Sequence, residues 1–241
     1  MTASLSADAL RVLENLKRVE ERLCQACAAA GRRRDEVTLM AVTKTVEPAL
    51  INAVLDAGVT CIGENRVQEY LGKRDELRLD GVDRHLIGHL QTNKVRRIVG
   101  EVDMIQTIDS VHLAKAVSDA AKHTARGVMD VLVEVNIGGE ASKSGVSPQQ
   151  VEKFLEEISV FDGIYVRGLM TIPPIFHTEY EKRAIFYKMH KLFIDIQGKK
   201  VDNSSMELLS MGMSSDFAEA VLEGTNLVRV GSAIFGERQY K

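Results

Sequence analysis

The sequence predicts a single α/β domain folded as a (β/α)8 TIM barrel, with one extra helix at its N-terminal end. Eight short runs rich in branched and apolar residues alternate with amphipathic stretches from residue 37 onwards. Eight such units close into a parallel barrel, and 241 residues suit one barrel of roughly 250 residues. We therefore expect one domain over residues 1–241, with a helix and turn over 1–36 and the barrel over 37–241.

The main alternative fold is an open doubly wound sheet. That fold places a Gly-x-Gly-x-x-Gly turn after an early strand, where the backbone approaches a pyrophosphate. The first predicted strand is followed instead by Thr43-Lys44-Thr45-Val46-Glu47-Pro48. The sequence therefore favours the closed barrel.

The first element is an amphipathic helix over residues 5–27. Its apolar residues recur every three or four positions, as expected of one buried stripe: Leu5, Ala9, Val12, Leu16, Val19, Leu23 and Cys27. The basic run Gly31-Arg32-Arg33-Arg34 is interpreted as a solvated turn. Cys24 and Cys27 have no second CxxC motif or paired histidines beside them, so they are interpreted as buried helix cysteines.

The strands and helices of the barrel follow in alternation. We predict strands over 37–43, 60–63, 84–88, 104–108, 131–137, 165–171, 207–211 and 227–231. The intervening helices are predicted over 48–57, 67–77, 91–99, 111–123, 148–158, 178–196 and 216–223. Ser110 and Ser147-Pro148 are typical helix-opening residues and support two of these starts.

Composition excludes several functional classes. Lys and Arg total 31 against 34 Asp and Glu, and aromatic residues make up 5% with no Trp, which argues against nucleic acid as a partner. No run approaches the roughly 18 apolar residues of a membrane-spanning helix. Three cysteines in a chain of this size suggest a reducing cytoplasm. We expect a cytoplasmic protein that binds neither nucleic acid nor membranes.

The chemistry of a TIM barrel lies at the C-terminal ends of its strands. Lys44 directly follows the first apolar run, so its amine is expected at the rim of the barrel mouth. Partial desolvation there lowers the pKa of a lysine and favours a nucleophile. The alternative is an ordinary surface lysine.

The loops after strands seven and eight are rich in small residues. They read Ser210-Met211-Gly212-Met213-Ser214-Ser215-Asp216 and Val228-Arg229-Val230-Gly231-Ser232-Ala233. Backbone N–H groups, serine hydroxyls and helix N-termini bind anions, and these two loops are the recurrent phosphate site of TIM barrels. Serine-capped tight turns are the alternative. Arg229 is predicted to face the mouth, or else to pair with a structural carboxylate.

Other polar residues admit simpler interpretations. His85 and His89 span a strand end and a turn rather than one helical face, so we expect no metal site. Asn65 on its own is interpreted as a helix cap. Glu140 and Lys143 lie in a glycine-containing loop over the mouth, which acts either as a lid or as a solvated loop.

Together, these segments resemble the pyridoxal phosphate homeostasis protein family, of the YggS or PROSC type. The resemblance covers essentially the whole chain from Val37 onward. It is carried by Ala41-Val42-Thr43-Lys44, Gly63-Glu64-Asn65-Arg66-Val67-Gln68-Glu69, His85-Leu86-Ile87-Gly88-His89-Leu90-Gln91-Thr92-Asn93-Lys94, Gly168-Leu169-Met170-Thr171-Ile172 and the two loops after strands seven and eight.

The resemblance implies a fold type III barrel similar to the N-terminal domain of alanine racemase, with pyridoxal 5'-phosphate held as a Schiff base on Lys44. It implies that the phosphate meets Ser214, Gly231 and Ser232, and that Arg229 faces the ring nitrogen. A protonated arginine would keep that nitrogen unprotonated and weaken the cofactor as an electron sink. It further implies that the pocket is lined by Asn65, Met170, Ser210 and Met213.

The implied role is non-catalytic: a monomer that buffers pyridoxal phosphate or delivers it to apo-enzymes. Many family members carry a second lysine where this sequence has Val46, so Lys143 becomes the candidate transfer amine. An amino-acid racemase is the alternative function. Racemases of this fold use a tyrosine from a further β-domain, whereas this sequence ends just past strand eight, so we expect no racemisation. A class I aldolase using Lys44 without a cofactor is the third possibility.

Overall fold

A computed structural model describes residues 6–140, 143–174 and 178–237, and it places eight parallel strands in a closed barrel. The strands pair in chain order, and the last pairs with the first. They are β1 (Thr38–Val42), β2 (Cys61–Glu64), β3 (Asp83–Leu86), β4 (Met104–Ile108), β5 (Met129–Glu134), β6 (Ile164–Met170), β7 (Ser204–Ser210) and β8 (Leu227–Val230). The predicted (β/α)8 fold is confirmed.

Helices follow the strands and cover the outside of the barrel. Within the described ranges they are α1 (Ala7–Ala29), α2 (Pro48–Asp56), α3 (Val67–Lys73), α4 (Val95–Ile98), α5 (Val111–Ala121), α6 (Val151–Ile158), α7 (Glu179–Lys199), α8 (Phe217–Leu222) and α9 (Ser232–Phe235). The predicted helices over 67–77 and 91–99 each contain a 3-10 turn, at Arg74–Glu76 and Thr92–Lys94. The short α9 was not predicted.

Helix α1 packs against the barrel as its apolar stripe predicts. Its buried residues contact β1, β8 and α8 in one cluster, and Ser6 caps its first turn through Ala9 N–H. Leu5 lies outside the described residues. The prediction of two buried cysteines is correct for Cys27 and wrong for Cys24, which is exposed. Cys24 follows Leu23 by one residue and is therefore turned about 100° away from the buried stripe.

The basic run after α1 is not simply solvated. Arg34 makes two hydrogen bonds of 2.8 Å to the carboxylate of Glu20, and Arg32 donates to the carbonyl of Thr225 at 2.6 Å. Arg33 alone matches the prediction, with 76% of its side chain exposed. Arg34 ties this turn back to the middle of α1, and Arg32 ties it to the loop before β8.

The barrel interior contains apolar clusters and a polar layer. One cluster joins Met40, Val42, Cys61, Ile87 and Leu227, and another joins Met104, Leu132 and Met170. Gly63 leaves room for Met40, whose Sδ would lie 2.5 Å from a β-carbon at position 63. The polar residues His85, Gln106, Ser210 and Arg229 are buried with these clusters. In the ranges described, no helix is both long and apolar enough to cross a membrane.

Candidate functional site

Lys44 is the half-buried residue that follows β1 and Thr43 in the turn to α2. It borders a cavity of about 390 Å³ at the C-terminal mouth of the barrel. The structure brings seven of the predicted site residues together around this cavity: Lys44, Asn65, Met213, Ser214, Arg229, Gly231 and Ser232. An amine, a guanidinium and a loop rich in N–H groups therefore face one space.

Met170 and Ser210 do not border this cavity, although both were predicted to line it. They are fully buried and lie in register with each other on β6 and β7. Ser210 is also in register with Leu227, which lies two residues before Arg229. The side chains of Met170 and Ser210 therefore lie one layer below the mouth. Ile172, two residues beyond Met170, takes the position at the cavity wall.

Four further lining residues were not singled out by the sequence interpretation, although one of them, Ser215, lies in the loop predicted to bind phosphate. They are Val42, Ile87, Ile172 and Ser215. The strand period of two places Val42 on the same face as Met40, so this signal was present in the sequence. Ile87 and Ile172 lie just beyond the ends of β3 and β6, and the sequence did not reveal how far these ends project.

Ser214 organises the loop between β7 and α8 and the N-terminal end of α9. Its hydroxyl oxygen accepts the backbone N–H groups of Gly231 and Ala233, both at 3.2 Å. Because the oxygen accepts these two bonds, the hydroxyl proton is left to donate to a further group. Asp216 accepts the N–H of Met213 at 2.6 Å and fixes the other side of the loop. The donor that this arrangement offers to an anion in the cavity is therefore the Ser214 hydroxyl.

Arg229 is buried, and neutral acceptors hold its guanidinium. It donates to the hydroxyl of Ser210 at 2.6 Å and to the carbonyl of Thr171 at 2.7 Å. Among the described residues it forms no ion pair, although the carboxylates of Asp216 and Glu134 are near enough to influence it. Burial lowers the pKa of Arg229 to about 10, so the side chain keeps its charge at neutral pH.

A chain of hydrogen bonds continues from Arg229 through the barrel. Ser210 donates to Gln106 Oε1 at 2.7 Å, and Gln106 Nε2 lies 2.7 Å from His85 Nδ1. Burial lowers the pKa of His85 to about 4, so its ring is neutral and Nδ1 accepts. In every hydrogen bond of this chain, the donor is the residue nearer to Arg229.

Asn65 does not cap the following helix. Arg66 occupies the N-cap position of α3, without a side-chain hydrogen bond. The Asn65 side chain instead faces the cavity, and its Oδ1 is buried with no hydrogen-bond partner in the described structure. An orphaned buried acceptor is costly. Asn65 therefore has hydrogen-bonding capacity for a ligand, which fits the cofactor that the resemblance implies.

Three charged residues beneath the Lys44 turn were not predicted as site residues. Lys73 lies 2.5 Å from Glu64 and 3.2 Å from Glu69, and its amine donates to the carbonyl of Thr43 at 2.7 Å. Burial raises the pKa of the Glu64 carboxyl, against the opposing effect of the Lys73 ammonium. The spacing of four between Glu69 and Lys73 on a helix was the available signal.

Lys143 lies away from the residues that border the cavity. Its amine pairs with Glu140 at 2.5 Å and donates to the carbonyl of Pro173 at 3.0 Å. Asn136 holds the same loop through the carbonyls of Glu140 and Lys143. Lys143 is therefore engaged in this conformation, and it connects the loop after β5 to the loop after β6.

Comparison with known proteins agrees with this geometry. Residues 15–239 match the family described as the alanine racemase N-terminal domain. A pyridoxal phosphate homeostasis protein from Aquifex aeolicus is 40% identical over 232 residues, which cover 96% of this chain and all of that protein.

Solved structures show the same likeness. A crystal structure described as an unknown protein from Bifidobacterium adolescentis is 37% identical, with a TM-score of 0.90 over 97% of this chain and 98% of its own. PipY of Synechococcus elongatus, solved with PLP bound, is 32% identical, with a TM-score of 0.77 over 90% of this chain and 100% of its own. The chain therefore belongs to the alanine racemase N-terminal domain family and, within it, to the pyridoxal phosphate homeostasis proteins.

Proposed function

We propose that this protein binds pyridoxal 5'-phosphate through a Schiff base to Lys44 and holds it for buffering or delivery, without catalytic turnover. The observation that carries the proposal is the cavity of about 390 Å³, bordered by Lys44, Arg229 and the Ser214 loop. Its size falls within the roughly 300–1,000 Å³ of small-molecule sites. The PLP bound to PipY supports the same ligand.

Each residue has a distinct part in this proposal. When bound, the cofactor supplies an aldehyde that condenses with an amine. Lys44 provides the amine, and Ser214, Gly231 and Ser232 surround the phosphate, with the Ser214 and Ser232 hydroxyls as its donors. Arg229 faces the ring nitrogen and, because it stays charged, keeps a proton off that atom. Asn65 offers the ring its Oδ1 atom, which has no hydrogen-bond partner in the described structure.

The absence of turnover is supported by what borders the cavity. Among the described residues that line it, only Lys44 and Arg229 have ionisable side chains, and Arg229 stays protonated at neutral pH. Two-base racemisation needs a second group that exchanges a proton on the opposite face of the substrate. We infer that Lys44 holds the cofactor and that no second group in the described lining exchanges a proton with a substrate.

Reduction with borohydride tests the Schiff base directly. We expect protein incubated with pyridoxal phosphate to gain a visible absorption band, and peptide mass spectrometry after reduction to place a pyridoxyl group on Lys44. Lys44→Ala should abolish both signals. Lys115→Met is the matched control, because Lys115 lies on the exposed face of α5 and, among the described residues, pairs only with Asp119. Labelling at another lysine in place of Lys44 would refute the assignment.

The non-catalytic part needs a separate measurement. Loaded protein incubated with L-alanine in deuterated water should leave both the chirality and the α-hydrogen of the amino acid unchanged. Appreciable exchange at that carbon would favour the racemase alternative. A colourless protein that takes up no pyridoxal phosphate would leave the cofactor-free aldolase as the better hypothesis.

Delivery to an apo-enzyme adds one further expectation. Lys143 is the candidate second amine, and its contacts with Glu140 and the Pro173 carbonyl would have to open first. We expect Lys143→Ala to slow transfer of the cofactor to an apo-enzyme while leaving binding to Lys44 intact. An unchanged transfer rate would remove Lys143 from the route.

A further inference from the structure

A buried lysine supports the turn that carries Lys44. Lys73 is the last residue of α3, and only 9% of its side chain is exposed. Its amine is shared among the Thr43 carbonyl, the Glu64 carboxylate and the Glu69 carboxylate. Desolvating an ammonium is costly unless all of its protons find acceptors, and three are present. The first of them belongs to the residue immediately before Lys44.

The residue immediately after Lys44 is held by the same cluster. The N–H of Thr45 donates to Glu69 Oε1, the oxygen that also faces Lys73. Thr45 has a φ of 61°, in the left-handed region that β-branched residues seldom adopt. Such a conformation persists only where the surroundings enforce it. The backbone is therefore fixed on both sides of Lys44.

A third contact joins the cluster to β2. The hydroxyl of Thr43 donates to Glu64 Oε1 at 2.5 Å and lies 3.3 Å from the carbonyl of Gly63. The other oxygen of Glu64 is buried with no partner among the described residues. The Lys73 charge is thus what compensates a carboxylate at the end of β2, and Glu64 links the Lys44 turn to the barrel.

We infer that Lys73 is a positioning residue: with Glu64 and Glu69 it fixes the backbone on both sides of Lys44, so that the amine is presented to the cavity before the cofactor arrives. This inference deepens the proposed function and rests on it. A turn that is already ordered loses less conformational entropy on binding than a disordered one. The cofactor is therefore bound with higher affinity.

Two variants separate positioning from charge. Glu64, Glu69 and Lys73 together carry a formal charge of −1, from two carboxylates and one ammonium. Lys73→Met changes this sum to −2, whereas Lys73→Met combined with Glu64→Gln returns it to −1 without restoring the contact to the Thr43 carbonyl. A purely electrostatic effect on Lys44 disappears in the double variant, and a positioning effect remains.

The first measurement needs no cofactor. Hydrogen exchange of the peptide spanning Thr43 to Val46 should accelerate in both variants. The reason is that Glu69, which accepts the Thr45 N–H, is no longer held by Lys73. Peptides from β5 and β6 should keep the exchange of the unsubstituted protein. The thermal midpoint confirms folding, and the double variant serves if the single variant does not fold. Lys115→Met is again the control.

The second measurement is cofactor affinity. Loss of one charge-assisted contact to the turn should raise the dissociation constant of pyridoxal phosphate by about tenfold in both variants. The pH profile of Schiff base formation should shift in Lys73→Met and return in the double variant.

Affinity fully restored in the double variant would overturn positioning, as would unchanged exchange and affinity in both. If the unsubstituted protein binds no pyridoxal phosphate, the proposed function fails, while the exchange measurement still tests the contact.

Discussion

The guanidinium of Arg229 donates to the hydroxyl of Ser210 at 2.6 Å. Arg229 borders the cavity and Ser210 does not, so Ser210 holds the charged side chain in place from outside the cavity. Ser210 passes this interaction to Gln106, and Gln106 to His85. Ser210, Gln106 and His85 are all buried, and each fixes the orientation of its neighbour. The polar layer of the barrel thus supports the site from below.

Removing the Ser210 hydroxyl should destabilise the protein. Ser210→Ala takes one acceptor from a buried guanidinium and one donor from Gln106, which should cost about 1–3 kcal/mol of unfolding free energy. Urea denaturation measures this loss. Ser205→Ala is the control, because the Ser205 hydroxyl is buried with no hydrogen-bond partner in the described structure and its loss should cost little. Equal stabilities of the two variants would contradict the supporting role of Ser210.

Glu134 should make stability depend on pH. Burial raises its pKa from the ordinary 4.5 to about 7, with Asp109 adding to the effect and Arg229 opposing it. The folded state thus disfavours the carboxylate. The stability that Glu134 contributes is complete below pH 4.5 and is lost as the pH rises through 7.

A neutral amide at position 134 isolates this effect. Relative to the unsubstituted protein, Glu134→Gln should gain roughly 2–3 kcal/mol of unfolding free energy between pH 5 and pH 8. Urea denaturation of both proteins at the two pH values gives this difference, in which the other titrating groups cancel. A difference that does not change with pH would show that Glu134 titrates normally in the folded state.

Gly88 should be required for the position of Asn65. A β-carbon at residue 88 would lie 2.1 Å from the Asn65 carbonyl oxygen, a backbone atom that cannot move alone. We expect Gly88→Ala to cost about 1–3 kcal/mol and to weaken binding of pyridoxal phosphate. Calorimetry and a binding titration measure the two effects.

Gly198→Ala provides the matched control for Gly88→Ala. Gly198 lies in α7 with nothing within 4 Å of the added carbon, so alanine there should gain up to about 1 kcal/mol. The idea fails if Gly88→Ala binds the cofactor as tightly as Gly198→Ala does.

The end of α7 offers a stabilising substitution. Lys200 adopts the left-handed conformation there, with φ 50° and ψ 54°. Glycine occupies such positions without the steric penalty of a side chain, so Lys200→Gly should raise the unfolding free energy by about 0.5–1 kcal/mol. Lys191→Gly, inside the same helix, should lower it by about 1 kcal/mol. Thermal denaturation that ranks the two variants in the reverse order would refute the capping argument.

The sequence alone determined the barrel and predicted the mouth at which the candidate site lies. Alternating strand and helix periods predict (β/α) units, and the fold places the ends of all its strands at one mouth. Lys44 and the Ser214 and Gly231 segments were predicted as candidate site residues for this reason, since each follows a predicted strand. Helix α1 was also predictable from the sequence, because its apolar residues recur every three or four positions and form one stripe.

Only the tertiary structure decided how deep each side chain lies in the barrel and which residues it contacts. The strand period shows which face Met170 and Ser210 occupy, but the stagger between neighbouring strands sets their height in the barrel, and the sequence does not contain that stagger. The same holds for Lys73, whose contact with the Thr43 carbonyl spans 30 residues. Local periodicity fixes the faces of strands and helices. The partners of their side chains follow from packing between elements far apart in the chain.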